Sequence, residues 1–229
     1  MKNSSDKIFQ FRAGNVSDLS ATADRADWAI VDIGFSSTKK SCGIGICRAG
    51  IWEKPQEIAF GELTETLSDL ISSPEHTPLN LVIEAPLSVA FNAQGNPVGR
   101  IFEKHTDSVK TRYWYVGAGS SVLLAAVYLL RSIHNCPSRS RDIRLFEGFV
   151  SFKDGIKSSH AEDVNGLWQA IQELQQSQSN SQEPFSRGKG DRTEPALNIA
   201  NISLGGIPPV IEFTLPSGPA NLFLHQTIC

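Results

Sequence analysis

Acidic side chains are almost never fully buried without a partner. Two of them nevertheless interrupt runs of residues that call for burial: Asp32 in WAIVDIGF (28–35) and Glu84 in LNLVIEA (79–85). A third, Asp163, stands four positions before Leu167 in HAEDVNGLW (160–168), so on a helix it projects at the edge of the apolar stripe. His160 lies one turn earlier and shares that side. Three carboxylates held on separate elements and aimed at one point can bind one or two hard divalent cations through oxygen, with no His and Cys ligand set. Two such ions about 3.5–4 Å apart activate a water and stabilise the leaving oxygen in phosphodiester cleavage. Taken singly, Asp32 could instead be a turn or capping carboxylate, and Glu84 could be half of a buried pair with Arg or Lys.

The elements that would hold these residues follow from periodicity. WAIVDIGF reads as a buried strand, SCGIGIC (41–47) as a second strand whose glycines admit a close neighbour, and 57–60 as a third. Leu63, Leu67, Leu70 and Ile71 mark one face of a helix that Pro74 closes. LNLVIEA is a fourth strand, stopped by Pro86. A loop of about 20 residues running to Lys110 contains FNAQGNPVGR, and loops of that length are usually functional. A helix over 113–133, a fifth strand over 144–152 and a helix carrying Val164, Leu167, Trp168, Ile171 and Leu174 complete the unit. The organisation expected is a polar leader (1–27), flexible or attached to an edge, and a domain over 28–175. A polar Ser- and Gln-rich linker or insertion (176–195) and a β extension (196–229), with ALNIANISL and VIEFTL as strands, follow.

The 229 residues can bury a full core, and 40% hydrophobic with 20% charged residues is ordinary for a globular chain. A net charge of −3 argues against coating nucleic acid by bulk electrostatics but allows a local basic patch. The four cysteines form no CxxC pair and no zinc-type cluster. Without an apolar leader segment, and with a longest apolar run of only nine residues (122–130), the expectation is a cytoplasmic protein with no membrane partner.

The order of elements, with Asp on the first strand, Glu on the fourth and H-x-x-D on the last helix, resembles the ribonuclease H superfamily. The first-strand D-x-G, VIEAPLS at Glu84 and HAED at 160–163 are most similar to the Holliday-junction-resolvase branch and its related family of predicted nucleases. The resemblance covers roughly residues 28–175. It implies an α/β fold with a mixed five-stranded sheet, the first three strands antiparallel, the fourth and fifth parallel to the first, and helices on both faces. It also implies a metal-dependent nuclease in which Asp32, Glu84 and Asp163 hold Mg²⁺ or Mn²⁺. His160 would be a further ligand, a proton shuttle, or simply an exposed residue at a helix N-terminus. Glu147 in LFEGFVS is similar to a glutamate on the fifth strand of those nucleases, and Arg100 with Glu103 loosely matches an Arg followed by an acid. The implied partner is nucleic acid, DNA or RNA, with a homodimer or protein partner as a further expectation.

Lys104, His105, Lys110 and Arg112, followed by Tyr113, Trp114 and Tyr115, mix cations and rings as single-strand binders do, although aromatics that open a helix also serve as core. Arg131, Arg139, Arg141 and Arg144 form a second basic cluster that could merely solvate a loop. Two other readings start from the same residues. DIGFSSTKK resembles the first phosphate loop of the actin and sugar-kinase group, with GG at 205–206 as its adenosine motif, and a non-catalytic binding module could keep the same fold.

Overall fold

The computed structural model describes residues 11–19, 26–37, 40–74, 77–103, 118–136, 141–150, 157–176, 182–184, 192–213 and 220–224. In chain order the elements are β1 (Phe11–Ala13), α1 (Val16–Leu19), β2 (Asp27–Ile33), β3 (Cys42–Arg48), β4 (Ile51–Trp52), β5 (Gln56–Ile58) and α2 (Phe60–Ser72). They continue with β6 (Leu79–Glu84), β7 (Ser88–Phe91), β8 (Pro97–Val98), a 3₁₀ turn (Ile101–Glu103), α3 (Ala118–His134), β9 (Ile143–Val150) and α4 (His160–Gln176). The last are β10 (Gln182–Pro184), β11 (Arg192–Pro195), a second 3₁₀ turn (Ala196–Ala200), β12 (Val210–Phe213) and β13 (Asn221–Leu224).

The fold is α/β, built on one mixed sheet. Strands β2 and β3 are antiparallel, as are β3 and β5, whereas β6 runs parallel to β2 and β9 parallel to β6. The sheet has ten strands, more than the five expected. Besides the short β4, which pairs with β3, the additions come from both flanking regions. β1 pairs in parallel with the first half of β9, and β12 with its second half, so the two divide one edge between them. β13 and β10 extend the sheet beyond β12.

Alternation in these strands sorts side chains to two faces. On one face Val31, Leu81, Ile83 and Leu145 pack under α2 and α3, with Leu63, Leu67, Leu129 and Leu130. On the other, Ile30, Val82 and Phe146 meet Val164, Leu167 and Ile171 of α4. Glycines on β3 let α4 come close. A Cβ at Gly43 would collide with the backbone carbonyl of His160, and one at Gly45 with Trp52 and Val164. The first turn of α4 therefore rests directly on the backbone of β3.

Several sequence expectations are corrected. Within the polar leader, residues 11–13 pair at the sheet edge, the second of its two readings, and 16–19 form a short helix rather than a flexible segment. Asp18 ties them down: its carboxylate accepts two hydrogen bonds from Arg12 at 2.8 Å and one from the Asn15 amide at 2.9 Å, with Arg144 at 3.2 Å. The long loop after Pro86 contains the β7–β8 hairpin, because Asn92 Oδ1 accepts from the Gln94 and Asn96 amides and Gly95 takes φ +83°. The Ser- and Gln-rich stretch supplies β10 and β11, which use backbone hydrogen bonds and need no apolar run; β11 pairs with β7. ALNIANISL is no strand. It winds as a 3₁₀ turn, capped by Asn201 in the left-handed region at φ +56°. Arg141 and Arg144 do not solvate a loop: both are buried, Arg141 against Asp27 at 2.6 Å and Arg144 against Asp18. Arg139, and the cations and rings of 104–115 that include Lys104 and Arg112, lie outside the described residues. Among the described residues no helix is long and apolar enough to cross a membrane.

Burial pushes the Asp18 carboxyl up. The Arg12 and Asn15 hydrogen bonds and the Arg144 charge outweigh it and hold the group below its ordinary value of 3.8. A carboxyl of this kind stabilises the fold above its unfolded value, and the contribution is lost as pH falls through the lower folded one. Urea unfolding of wild type and Asp18→Asn should therefore differ by about 1–3 kcal/mol near neutrality and converge in acid. A gap that stays constant with pH would assign Asp18 a purely steric role.

Candidate metal centre

Asp32 occupies the next-to-last position of β2 and Glu84 the last of β6. The two strands are parallel neighbours, and Asp32 pairs in register with Glu84. Both side chains fall on the α4 face, since Ile30 and Val82, two residues earlier, meet that helix. The carboxyl ends of parallel strands are where α/β sheets open a crevice. Here the crevice is acidic.

The third carboxylate comes from the first turn of α4. Ser159 and Glu162 form a capping box: Glu162 Oε2 accepts from the Ser159 amide at 2.7 Å, and the Glu162 amide donates to Ser159 Oγ at 3.2 Å. Glu162 is thereby held outward and exposed at the cap, whereas Asp163 is only 4% exposed and turns to the sheet. Ser158 Oγ donates to Asp163 Oδ1 at 2.7 Å, fixing its orientation. One ligand oxygen each from Asp32, Glu84 and Asp163 lie within 4.8 Å of one another.

His160 meets the group from the side. Its Nδ1 is 2.5 Å from Asp32 Oδ2, and its backbone amide donates to Glu57 Oε1 at 3.1 Å. The hydrogen bond with Asp32 raises the imidazole above its ordinary 6.5; burial opposes this, and the charges of Asp32, Asp163 and Glu57 add to it. The carboxylates around it thus favour the protonated imidazole.

The donor set suits a hard cation. Two oxygens on opposite sides of Mg²⁺ at about 2.1 Å stand about 4.2 Å apart. Separations up to 4.8 Å are slightly wide for one ion and fit a pair about 3.5–4 Å apart. The three candidate donors are all carboxylate oxygens, a set that favours Mg²⁺ or Mn²⁺ over softer metals.

Of the residues singled out in the sequence, Asp32, Glu84, Asp163 and His160 are brought together. Glu147 is not. Glu84 pairs with Gly148, so Glu147, beside Ile83, points through the opposite face of the sheet. There it meets Arg100, with Arg100 Nη1 to Glu147 Oε2 and Nη2 to Oε1 both 2.7 Å, while Glu103 Oε1 takes the other side of the guanidinium at 2.6 Å. All three are buried. Arg100 also donates to Ser88 Oγ at 2.9 Å, and Glu147 Oε2 accepts from the Leu87 amide at 2.9 Å, so the cluster pins the chain that follows Glu84. Burial alone would lower the Arg100 pKa; Glu147 and Glu103 together hold it above its ordinary value. Burial, with the Glu103 charge added, pushes Glu147 up against the pull of Arg100 and the Leu87 amide.

Glu57 and Ser158 were not singled out in the sequence. Glu57 pairs in register with Gly43, itself opposite Asp32, so strand alternation alone could have placed it on the acidic face. Ser158 carried no signal beyond lying one residue before the helix cap. No family model matches the chain, and no match was found among curated proteins or solved structures.

Proposed function

We propose that the chain is a ribonuclease-H-like nuclease that hydrolyses phosphodiester bonds in nucleic acid with Mg²⁺ or Mn²⁺. The observation that carries the reading is the convergence of Asp32, Glu84 and Asp163, from two adjacent strands and one helix, with ligand oxygens within 4.8 Å. The strand arrangement supports it: β5, β3 and β2 antiparallel in succession, then β6 and β9 parallel to β2, is the order expected of that superfamily.

The three carboxylates would hold the metal. When bound, it supplies a water made nucleophilic at neutral pH and charge stabilisation for the leaving oxygen. The protein's own contributions are positional. The capping box and Ser158 fix Asp163, and Gly43 admits the helix turn that carries it. His160 holds Asp32 through Nδ1, which leaves Nε2 as the nitrogen able to pass a proton to or from the reacting phosphodiester.

The test is to incubate the protein with Mg²⁺ or Mn²⁺ on single-stranded, duplex and branched DNA and RNA, with a chelator control, and to follow ATP turnover in parallel. Cleavage that vanishes with the chelator is expected. If no nucleic acid is cut while ATP is hydrolysed, the nuclease reading fails in favour of a kinase-like one.

A further inference from the structure

A single rung of the sheet grips His160 at three points. Asp32 on β2, Gly43 on β3 and Glu57 on β5 stand opposite one another in register. Directly paired residues share a face, so all three meet α4, along a line of about 10 Å from Asp32 to Glu57. Asp32 Oδ2 takes the His160 ring through Nδ1 at 2.5 Å, and Glu57 Oε1 accepts from the His160 backbone amide at 3.1 Å. Gly43 lies between them, where a Cβ would come within 2.4 Å of the His160 carbonyl oxygen. Gly34 is the floor beneath the ring, since a Cβ there would stand 2.4 Å from Cε1 and Nε2. Neither glycine has a positive φ, so each contributes space rather than an unusual backbone angle.

The bond to Glu57 differs in kind from the others in this turn. His160 is the first residue of α4, and the first amides of a helix find no partner within it. The Ser159–Glu162 capping box and the Ser158–Asp163 bond join the turn to itself. Val164 packs on Gly43 and Gly45 and brings the helix close to β3, but apolar contact is non-directional and does not set where the turn stops along the strand. Two directional bonds run from His160 to the sheet, and one of them uses Asp32. A cation at the centre would draw on that carboxylate, whereas Glu57 lies outside the group of three converging acids. The tie to Glu57 therefore persists whether or not the centre is loaded. Asp163 follows His160 by three residues, less than one helical turn, so what fixes the His160 amide also fixes the third carboxylate.

We propose that Glu57 is a positioning residue of the metal centre. Through the His160 amide it sets the first turn of α4 on the sheet and so holds Asp163 at its distance from Asp32 and Glu84. The inference rests on the metal reading above and goes beyond it by giving a part to an exposed acid on β5.

Mn²⁺ alone is the probe. It is titrated into the full chain as wild type, Glu57→Ala and Glu57→Gln, with free Mn²⁺ followed by electron paramagnetic resonance, at a temperature where circular dichroism shows all three folded. Gln loses the charge but keeps an oxygen that accepts from the His160 amide; Ala loses both. Glu57→Ala should weaken Mn²⁺ binding by about tenfold, the mildest effect typical of losing a partner that stands behind a metal ligand. Glu57→Gln should restore most of it. Exchange of the His160 amide with solvent, read by NMR in the metal-free proteins, should follow the same order, fast in the Ala variant and slow in the Gln variant and wild type. Equal losses of Mn²⁺ affinity in the two variants would make Glu57 a source of charge alone and overturn the proposal. Wild-type binding that survives Glu57→Ala unchanged would also overturn it, while leaving the metal reading in place. Wild type that binds no Mn²⁺ would remove the metal reading itself, and this role for Glu57 with it.

Discussion

Glu84→Gln is expected to reduce Mg²⁺- or Mn²⁺-dependent cleavage at least about a hundredfold, since loss of even an outer-shell partner of a metal ligand typically costs 10–100-fold. Gln keeps the volume and one acceptor oxygen and removes the charge that would hold a hard cation. The stability of the metal-free protein should not fall. Asp32, Glu84 and Asp163 have candidate ligand oxygens within 4.8 Å, and a neutral amide at one of them removes any repulsion it contributed. The melting temperature of the variant should equal or exceed that of wild type. Adding Mn²⁺ separates the two proteins further: at a hundred times its dissociation constant a ligand stabilises by about 2.7 kcal/mol, and only wild type should show the increase. A variant that cuts as wild type does, or that gains the same stabilisation from Mn²⁺, would make Glu84 a structural acid.

The second large effect is expected on stability, at the other face of the sheet. Arg100→Met leaves Glu103 and Glu147, both fully buried, facing each other without their shared cation. Breaking a buried pair by removing one partner costs about 3–5 kcal/mol. For a chain of this size that corresponds to a fall in melting temperature of about 6–20 °C. The triple variant Arg100→Met, Glu103→Gln, Glu147→Gln should recover most of the loss, because it removes the stranded charges as well. Differential scanning calorimetry of the three proteins reads this directly. An Arg100→Met protein that melts with wild type but no longer cleaves nucleic acid would instead put Arg100 in the site's chemistry.

Arg100 and Glu147 also mark how far the sequence could be read. Asp32 and Glu84 were legible because each is an acid among aliphatic neighbours on a short strand, and a buried acid needs a reason. Glu147 carries the same signal and lies on the other face. What separates it from Glu84 is one residue of register between β6 and β9, and register belongs to the pairing of distant strands. Asp163 was distinguishable from Glu162 through the helical stripe, and the capping box at Ser159 accounts for why the neighbouring acid is turned away. That the helices cover both faces was what the resemblance implied; the central strands and the helices were visible as periodicity. The strands at the margins were not. β1, β10 and β11 are three or four residues long, and backbone pairing to partners far along the chain defines them. Conversely, the apolar alternation of ALNIANISL imitates a strand, because Leu197, Ile202 and Leu204 reach the core from a 3₁₀ turn and its exit.

The division of the outer edge of β9 between β1 and β12 bears on how the chain is made. When β9 leaves the ribosome, its inner edge can pair at once with β6, but half of its outer edge waits for residues 210–213, and β13 and β10 close in only after 221–224. At about 5–20 residues per second this interval lasts several seconds. Throughout it, a strand buried along its whole length in the finished protein presents open backbone amides and carbonyls to whatever is nearby. Phe11–Ala13, made before β9, pairs in the finished fold with Ile143–Leu145, so by the time β9 emerges a segment that can cover part of that edge is already at hand.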